Sequence, residues 1–86
     1  MTNNRTPYKI RNEKGEITTI TLDKLVADVL QKSLPDVHAW IQNTYDRLGV
    51  IKPELGRRKK GDLVRQLSLI EAEKSPCYNE LIANQF

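Results

Sequence analysis

The strongest constraint on how this chain folds is a stripe of apolar side chains near its middle. Val37, Trp40, Ile41, Tyr45 and Leu48 recur at i, i+3, i+4, i+8 and i+11, which puts them on one face of an α-helix. The spacing predicts a helix over about 35–48. Ser33, three residues ahead of Asp36, and Pro35 in the first turn form its start signal, since proline's missing N–H costs nothing there. Gly49 stands where helices commonly end in a left-handed residue. One amphipathic helix cannot bury its own stripe, so the flanking segments must cover it.

The N-terminal flank reads as a β-hairpin over 7–22. Tyr8-Lys9-Ile10-Arg11 and Glu16-Ile17-Thr18-Thr19-Ile20-Thr21-Leu22 are rich in β-branched and aromatic residues. Asn12-Glu13-Lys14-Gly15 between them suits a type I turn closed by a left-handed glycine. Tyr8 and Ile10 share one face of the first strand; Thr18, Ile20 and Leu22 share one face of the second. A two-stranded hairpin is marginal alone, so it must pack on the helices or pair with a second copy. Residues 1–6 are polar and expected to be disordered.

Three further helical segments are expected. The first, about 23–32, turns Leu25, Val26, Val29 and Leu30 inward and is capped by Thr21 or Asp23. The second, 62–73, opens on Gly61 or Asp62 with Leu63, Val64, Leu67 and Ile70 inward. The third, 76–84, follows Ser75-Pro76 and carries Leu81, Ile82 and Phe86. Residues 50–56 read as extended because Pro53 disfavours helix at Lys52, with Val50, Ile51 and Leu55 reaching the core. The expected fold class is α+β: one small domain over 7–86, a hairpin followed by three or four short helices.

With 86 residues, 38% of them apolar, only one small core is available, and a homodimer is compatible with it. The single cysteine, Cys77, excludes an internal disulfide and fits a reducing compartment. No stretch approaches the ~20 apolar residues of a membrane helix, and the polar start lacks a signal peptide's apolar segment. A cytoplasmic protein is expected. One histidine and one cysteine cannot build a usual metal site. There is no Ser-His-Asp set, glycine-rich phosphate loop or His-Glu-x-x-His, so neither catalysis nor a cofactor nor a small-molecule substrate is expected.

Charge is the more informative property. The net balance is only +3, but 57–65 gathers Arg57, Arg58, Lys59, Lys60 and Arg65 against Asp62 alone. Ahead of a helix start at Asp62, these cations would reinforce unpaired N–H groups and the positive end of the helix dipole. Such a place holds anions, most naturally phosphates. The competing reading is a solvated charge run. Lys9, Arg11 and Lys14 read as solvated surface, Trp40 and Tyr45 as core, His38 as a surface residue and Cys77 as an inert thiol.

Two families resemble parts of the chain. Residues 36–67 resemble the SAP-type helix–extended–helix module, through Arg47-Leu48-Gly49-Val50 and then Gly56-Arg57-Arg58-Lys59-Lys60-Gly61-Asp62-Leu63-Val64-Arg65-Gln66-Leu67. In that family a "Gly-x-Lys-Lys-x-Asp/Glu-Leu-Ile" pattern opens the second helix, and the resemblance implies DNA-backbone contact by Arg57 to Lys60. Ile17 to Leu48 is similar in element order to the ribbon-helix-helix family. That likeness implies strand pairing in a dimer, with Thr19 and Thr21 toward the groove.

The sequence therefore leads to a small DNA-binding protein, regulatory or a plasmid or phage accessory. It would contact duplex phosphates through Arg57, Arg58, Lys59, Lys60 and Arg65, with weak or shape-based sequence preference and RNA as the other polyanion. The alternative is a protein–protein interaction or adaptor module that self-pairs through its hairpin.

Overall fold

A computed structural model describes residues 5–83, including every side chain except those of residues 77 and 81–83. The order is β1 (Arg5–Arg11), β2 (Ile17–Asp23), α1 (Lys24–Ser33), α2 (Val37–Ile51), α3 (Arg57–Glu73) and α4 (Pro76–Ala83). This is the α+β arrangement of a hairpin followed by helices. The expectations for residues 1–4, for residue 84 and Phe86, and for the side chains of Cys77, Leu81 and Ile82 lie outside the described residues. Arg5 and Thr6, expected to be disordered, instead begin β1, because they pair with Asp23 and Leu22.

The hairpin is antiparallel, with Tyr8 opposite Ile20 and Ile10 opposite Thr18. Its turn closes on Gly15, whose φ of 79° is the left-handed value that glycine adopts without strain. Asn12, buried beneath the turn, fixes it: its Oδ1 accepts from the N–H groups of Lys14 and Glu16, both at 2.9 Å. One face of the hairpin turns Ile10, Ile20 and Leu22 into the core. The other presents Arg5, Lys9 and Arg11 to solvent across from Asp23, Thr19 and Ile17.

The outer edge of β1 is sealed by α2 in place of a third strand. Gln42 accepts from the Arg11 N–H at 2.8 Å and donates to the Arg11 carbonyl at 2.9 Å. One helical turn earlier, exposed His38 donates from Nε2 to the Lys9 carbonyl. Residues four apart on a helix lie on one side of it, so the pair runs along the strand. The expected α2 stripe does reach the interior: Val37, Ile41 and Tyr45 are buried, with Trp40 and Leu48 half-buried against them. Val26, Ala27, Val29 and Leu30 of α1 and Val64 and Ala72 of α3 complete the core.

Two helix boundaries differ from the expected ones. Asp36, rather than Ser33, caps α2, accepting from the Ala39 N–H at 3.1 Å. Ser33 stays in α1, where its hydroxyl bonds the Val29 carbonyl at 2.8 Å and the Ser75 hydroxyl at 2.6 Å. At its other end, α2 runs through Gly49 to Ile51, and Gly49 is not left-handed. A Cβ there would lie 3.7 Å from the Lys60 Nζ, an ordinary contact, so packing does not require glycine at this position.

The inward side of α3 also departs from expectation. Val64 is buried as expected, but with it lie Lys60, Ser68 and Ala72, which share its i, i+4 row, and the adjacent Gly61. Leu63 is half-buried, whereas Leu67 and Ile70 face outward, Ile70 with 50% of its surface exposed. Val50 and Ile51, expected in the core, are 82% and 68% exposed. The continuation of α2 from Leu48 to Ile51, just under one helical turn, rotates them away from the hairpin.

Candidate anion site at the start of helix α3

Pro53 and the extended Gly56 (φ −73°, ψ 166°) end the crossover, and α3 then begins at Arg57. The cations therefore form its opening turn; they do not precede the helix as the sequence suggested. The Lys60 N–H bonds the Gly56 carbonyl at 3.0 Å, the first bond of the helical ladder, so the N–H groups of Arg57, Arg58 and Lys59 have no partner within the helix. Gly56 offers no side-chain cap, and no acid stands in the first turn. Helix α2, in contrast, is capped by the Asp36 side chain, whereas α1 opens on Lys24 behind an Asp23 that makes no side-chain cap bond.

Successive helical residues are turned by about 100°, so the cations at 57–60 cannot all share one face. Arg57 and Arg58 border a cleft against β2, whereas Lys59 projects to solvent away from it. Among the described residues, no carboxylate pairs with any of these three. Lys60 turns inward and is only 4% exposed. Its Nζ lies 2.8 Å from Glu13 Oε2 and 4.6 Å above the Tyr45 ring, so it is committed to the hairpin turn.

The titration behaviour of this trio follows from the contacts. The hydrogen bond from Lys60 holds the Glu13 carboxyl below its ordinary range, and the same bond holds the Lys60 ammonium above its own. Burial, first among several causes, pushes the Tyr45 phenol up. Lys60 thus locks the hairpin to α2 and α3.

Arg65, two turns along, joins Arg57 and Arg58 at the cleft but is partly occupied. Its Nε donates to the Thr21 carbonyl at 3.1 Å, and its Nη1 pairs with Asp62. Gly61, Tyr45 and the stretch Thr18–Ile20 of β2 complete the lining of this open cleft of about 260 Å³. Of the five cations the sequence singled out, the fold thus brings together Arg57, Arg58 and Arg65. Sequence reasoning missed Gly61 and the β2 backbone as parts of the site. A glycine interrupting a helix-forming run was the available signal for the first; nothing in the sequence signalled the second.

A separate groove lies between α2 and α3, lined by Trp40, Leu48, Ile51, Leu67 and Ile70 and flanked by Arg47 and Lys74. Among the described residues, no helix is long and apolar enough to cross a membrane and no three His, Cys, Asp or Glu side chains gather as metal ligands. No protein-family model, curated protein or solved structure matches the chain.

Proposed function

We propose that this protein binds polyanions, DNA first among them, by presenting Arg57, Arg58 and Lys59 at the start of α3 to backbone phosphates. The observation that carries the reading is the composition of that turn: three solvent-facing cations, no acid and no side-chain cap. Helix starts favour negative charge, so cations massed there with their own N–H groups unpaired suit an anion brought from outside. Nothing in the turn addresses base edges, and contact with phosphates alone carries no direct sequence information. The proposed binding is accordingly of low sequence preference, and RNA is the alternative polyanion.

Duplex DNA titrated against the wild type and Arg58→Glu/Lys59→Glu across a salt series tests this. Three phosphate contacts give a slope of log affinity on log salt of about −2.7, and the variant should lose most of its affinity. Equal binding by both proteins, or binding insensitive to salt, refutes it. Lys60 is unsuitable for such a test because its replacement perturbs the fold through Glu13 and Tyr45.

A second reading, a protein-interaction module, is favoured by one observation: Ile51, Leu67 and Ile70 are exposed along the α2–α3 groove. Apolar side chains grouped on a surface commonly mark contact sites. Sedimentation of the wild type and Ile51→Glu separates the readings. Self-association abolished by the substitution supports this one; a monomer at all concentrations removes self-pairing from it. The groove makes a more open contact than the hairpin, whose β1 edge is already occupied by His38 and Gln42.

A further inference from the structure

Gly61 is the anomaly in α3. It lies inside the helix, is buried, and has no positive φ that would require glycine. A Cβ built there meets nothing within 4 Å, so no close backbone approach requires it either. Glycine is the poorest helix former after proline, and here its missing side chain leaves space. The space is the cleft bounded by Arg57, Arg58 and Arg65 of α3, by Thr18–Ile20 of β2 and by Tyr45 of α2.

The β2 wall adds backbone groups. Residues along an antiparallel pair alternate between bonding their partner strand and pointing outward. The Arg11 backbone points outward to Gln42 and the Thr21 carbonyl points outward to Arg65. By the same alternation and the register, Thr19 also points outward, toward α3. Its N–H can donate to an anion, and its carbonyl can anchor a guanidinium as that of Thr21 does.

From these features we infer that the cleft is a site for one doubly charged phosphoryl group, the terminal phosphate of a nucleic-acid strand. The inference rests on the polyanion reading, since Arg57 and Arg58 serve both. Three guanidiniums set against the one carboxylate of Asp62 leave two positive charges. A phosphate monoester carries close to two negative charges at neutral pH; an internal diester carries one and has a nucleoside on each side. Guanidiniums hold phosphate oxygens in paired, directional hydrogen bonds. At about 260 Å³ the cleft falls below the roughly 300–1,000 Å³ typical of sites for drug-sized molecules and suits a single compact group.

The test uses the full chain and two 3′-labelled oligonucleotides of one sequence, bearing either a 5′-phosphate or a 5′-hydroxyl, with inorganic phosphate as competitor. The wild type binds the phosphorylated strand about tenfold more tightly, and inorganic phosphate erases the difference. Gly61→Ala and Gly61→Leu place carbon in the cleft and reduce the preference at least threefold; the alanine variant melts at or above the wild-type temperature, so it tests the site even if the leucine variant fails to fold. Equal wild-type affinity for both strands overturns the inference, as does a preference that survives both substitutions. If the hydroxyl strand still binds in a salt-dependent way that Arg58→Glu/Lys59→Glu abolishes, the polyanion reading stands while the inference falls. If neither strand binds but inorganic phosphate raises the melting temperature of the wild type and not of Gly61→Leu, the cleft takes free phosphate; the phosphoryl site then stands, and its assignment to a strand end falls with the polyanion reading.

Discussion

Reversing two charges at the start of α3 should make the protein more stable while removing its proposed activity. Arg58 and Lys59 lie in the first turn, where unpaired N–H groups give the helix about half a positive charge. Each exposed cation there is unfavourable by about 0.3–1 kcal/mol, and an acid is favourable by a similar amount. Neither side chain has a carboxylate partner to lose among the described residues. Taking about 0.3–0.5 kcal/mol for each of these four terms because both side chains are solvated, Arg58→Glu/Lys59→Glu should gain about 1–2 kcal/mol. A domain of this size shifts its Tm by about 4–8 °C per kcal/mol, so the variant should melt roughly 4–16 °C higher at low salt. Near 1 M salt the Debye length is about 3 Å, and most of the gain should vanish. Lys32→Glu is the matched control: Lys32 sits in the last turn of α1, where a cation is favourable, so an acid there should lower Tm. Thermal melts by circular dichroism at two salt concentrations decide the matter. A double variant that melts at or below the wild-type temperature in low salt refutes the placement of these charges against the dipole.

Three further outcomes follow from the hairpin's attachments. Gln42→Ala removes two hydrogen bonds to the Arg11 backbone and should cost about 1–2 kcal/mol, read as a lower urea midpoint with an unchanged m-value. Glu13, whose folded pKa lies below its ordinary 4.5, contributes stability that is complete above that value and lost as pH falls through the lowered one. Lys60, raised above 10.5, contributes fully below that pH and loses its contribution as pH rises through its folded value; Glu13→Gln should therefore flatten the acid limb of Tm against pH measured down to about pH 3. Gly15→Ala puts a side chain at φ 79° and should cost about 1–2 kcal/mol, measured by the same urea titration.

The elements were legible where each carried its own signal. The hairpin announced itself through β-branched runs around Asn12–Gly15, and α2 through its stripe. What misled was α3, where the sequence offers Leu63, Val64, Leu67 and Ile70 as an obvious apolar set. Of these the fold fully buries only Val64, and beside it Gly61, Ser68 and Ala72, whose small volumes carry little hydrophobic signal. Local pattern ranks residues by apolarity; tertiary packing selected for fit. Lys60 was read as a ligand-facing cation for a related reason, since its partner Glu13 is remote in sequence and only the crossover brings them to 2.8 Å. The β2 wall of the cleft was invisible because backbone groups do not vary with sequence.

The opening of α3 sets three cations against the helix dipole, where α1 opens on one, Lys24, and α2 on none. Asp23 and Asp36 stand at the starts of α1 and α2, and Lys32 lies at the end of α1, all on the side the helix dipole favours. Within one turn and a half of α3, three cations meet the wrong end of the dipole, the cap position lacks a side chain, and glycine occupies a helix interior. The glycine alone costs about 0.8–1 kcal/mol relative to alanine, and each cation adds a few tenths or more. Against a total stability of about 5–15 kcal/mol, several such losses confined to five residues are a large share. Of these residues, Arg57, Arg58 and Gly61 adjoin one cleft. Local conflict with an otherwise consistent fold concentrates at functional sites, and an anion is the partner that would offset the dipole and the crowded cations together.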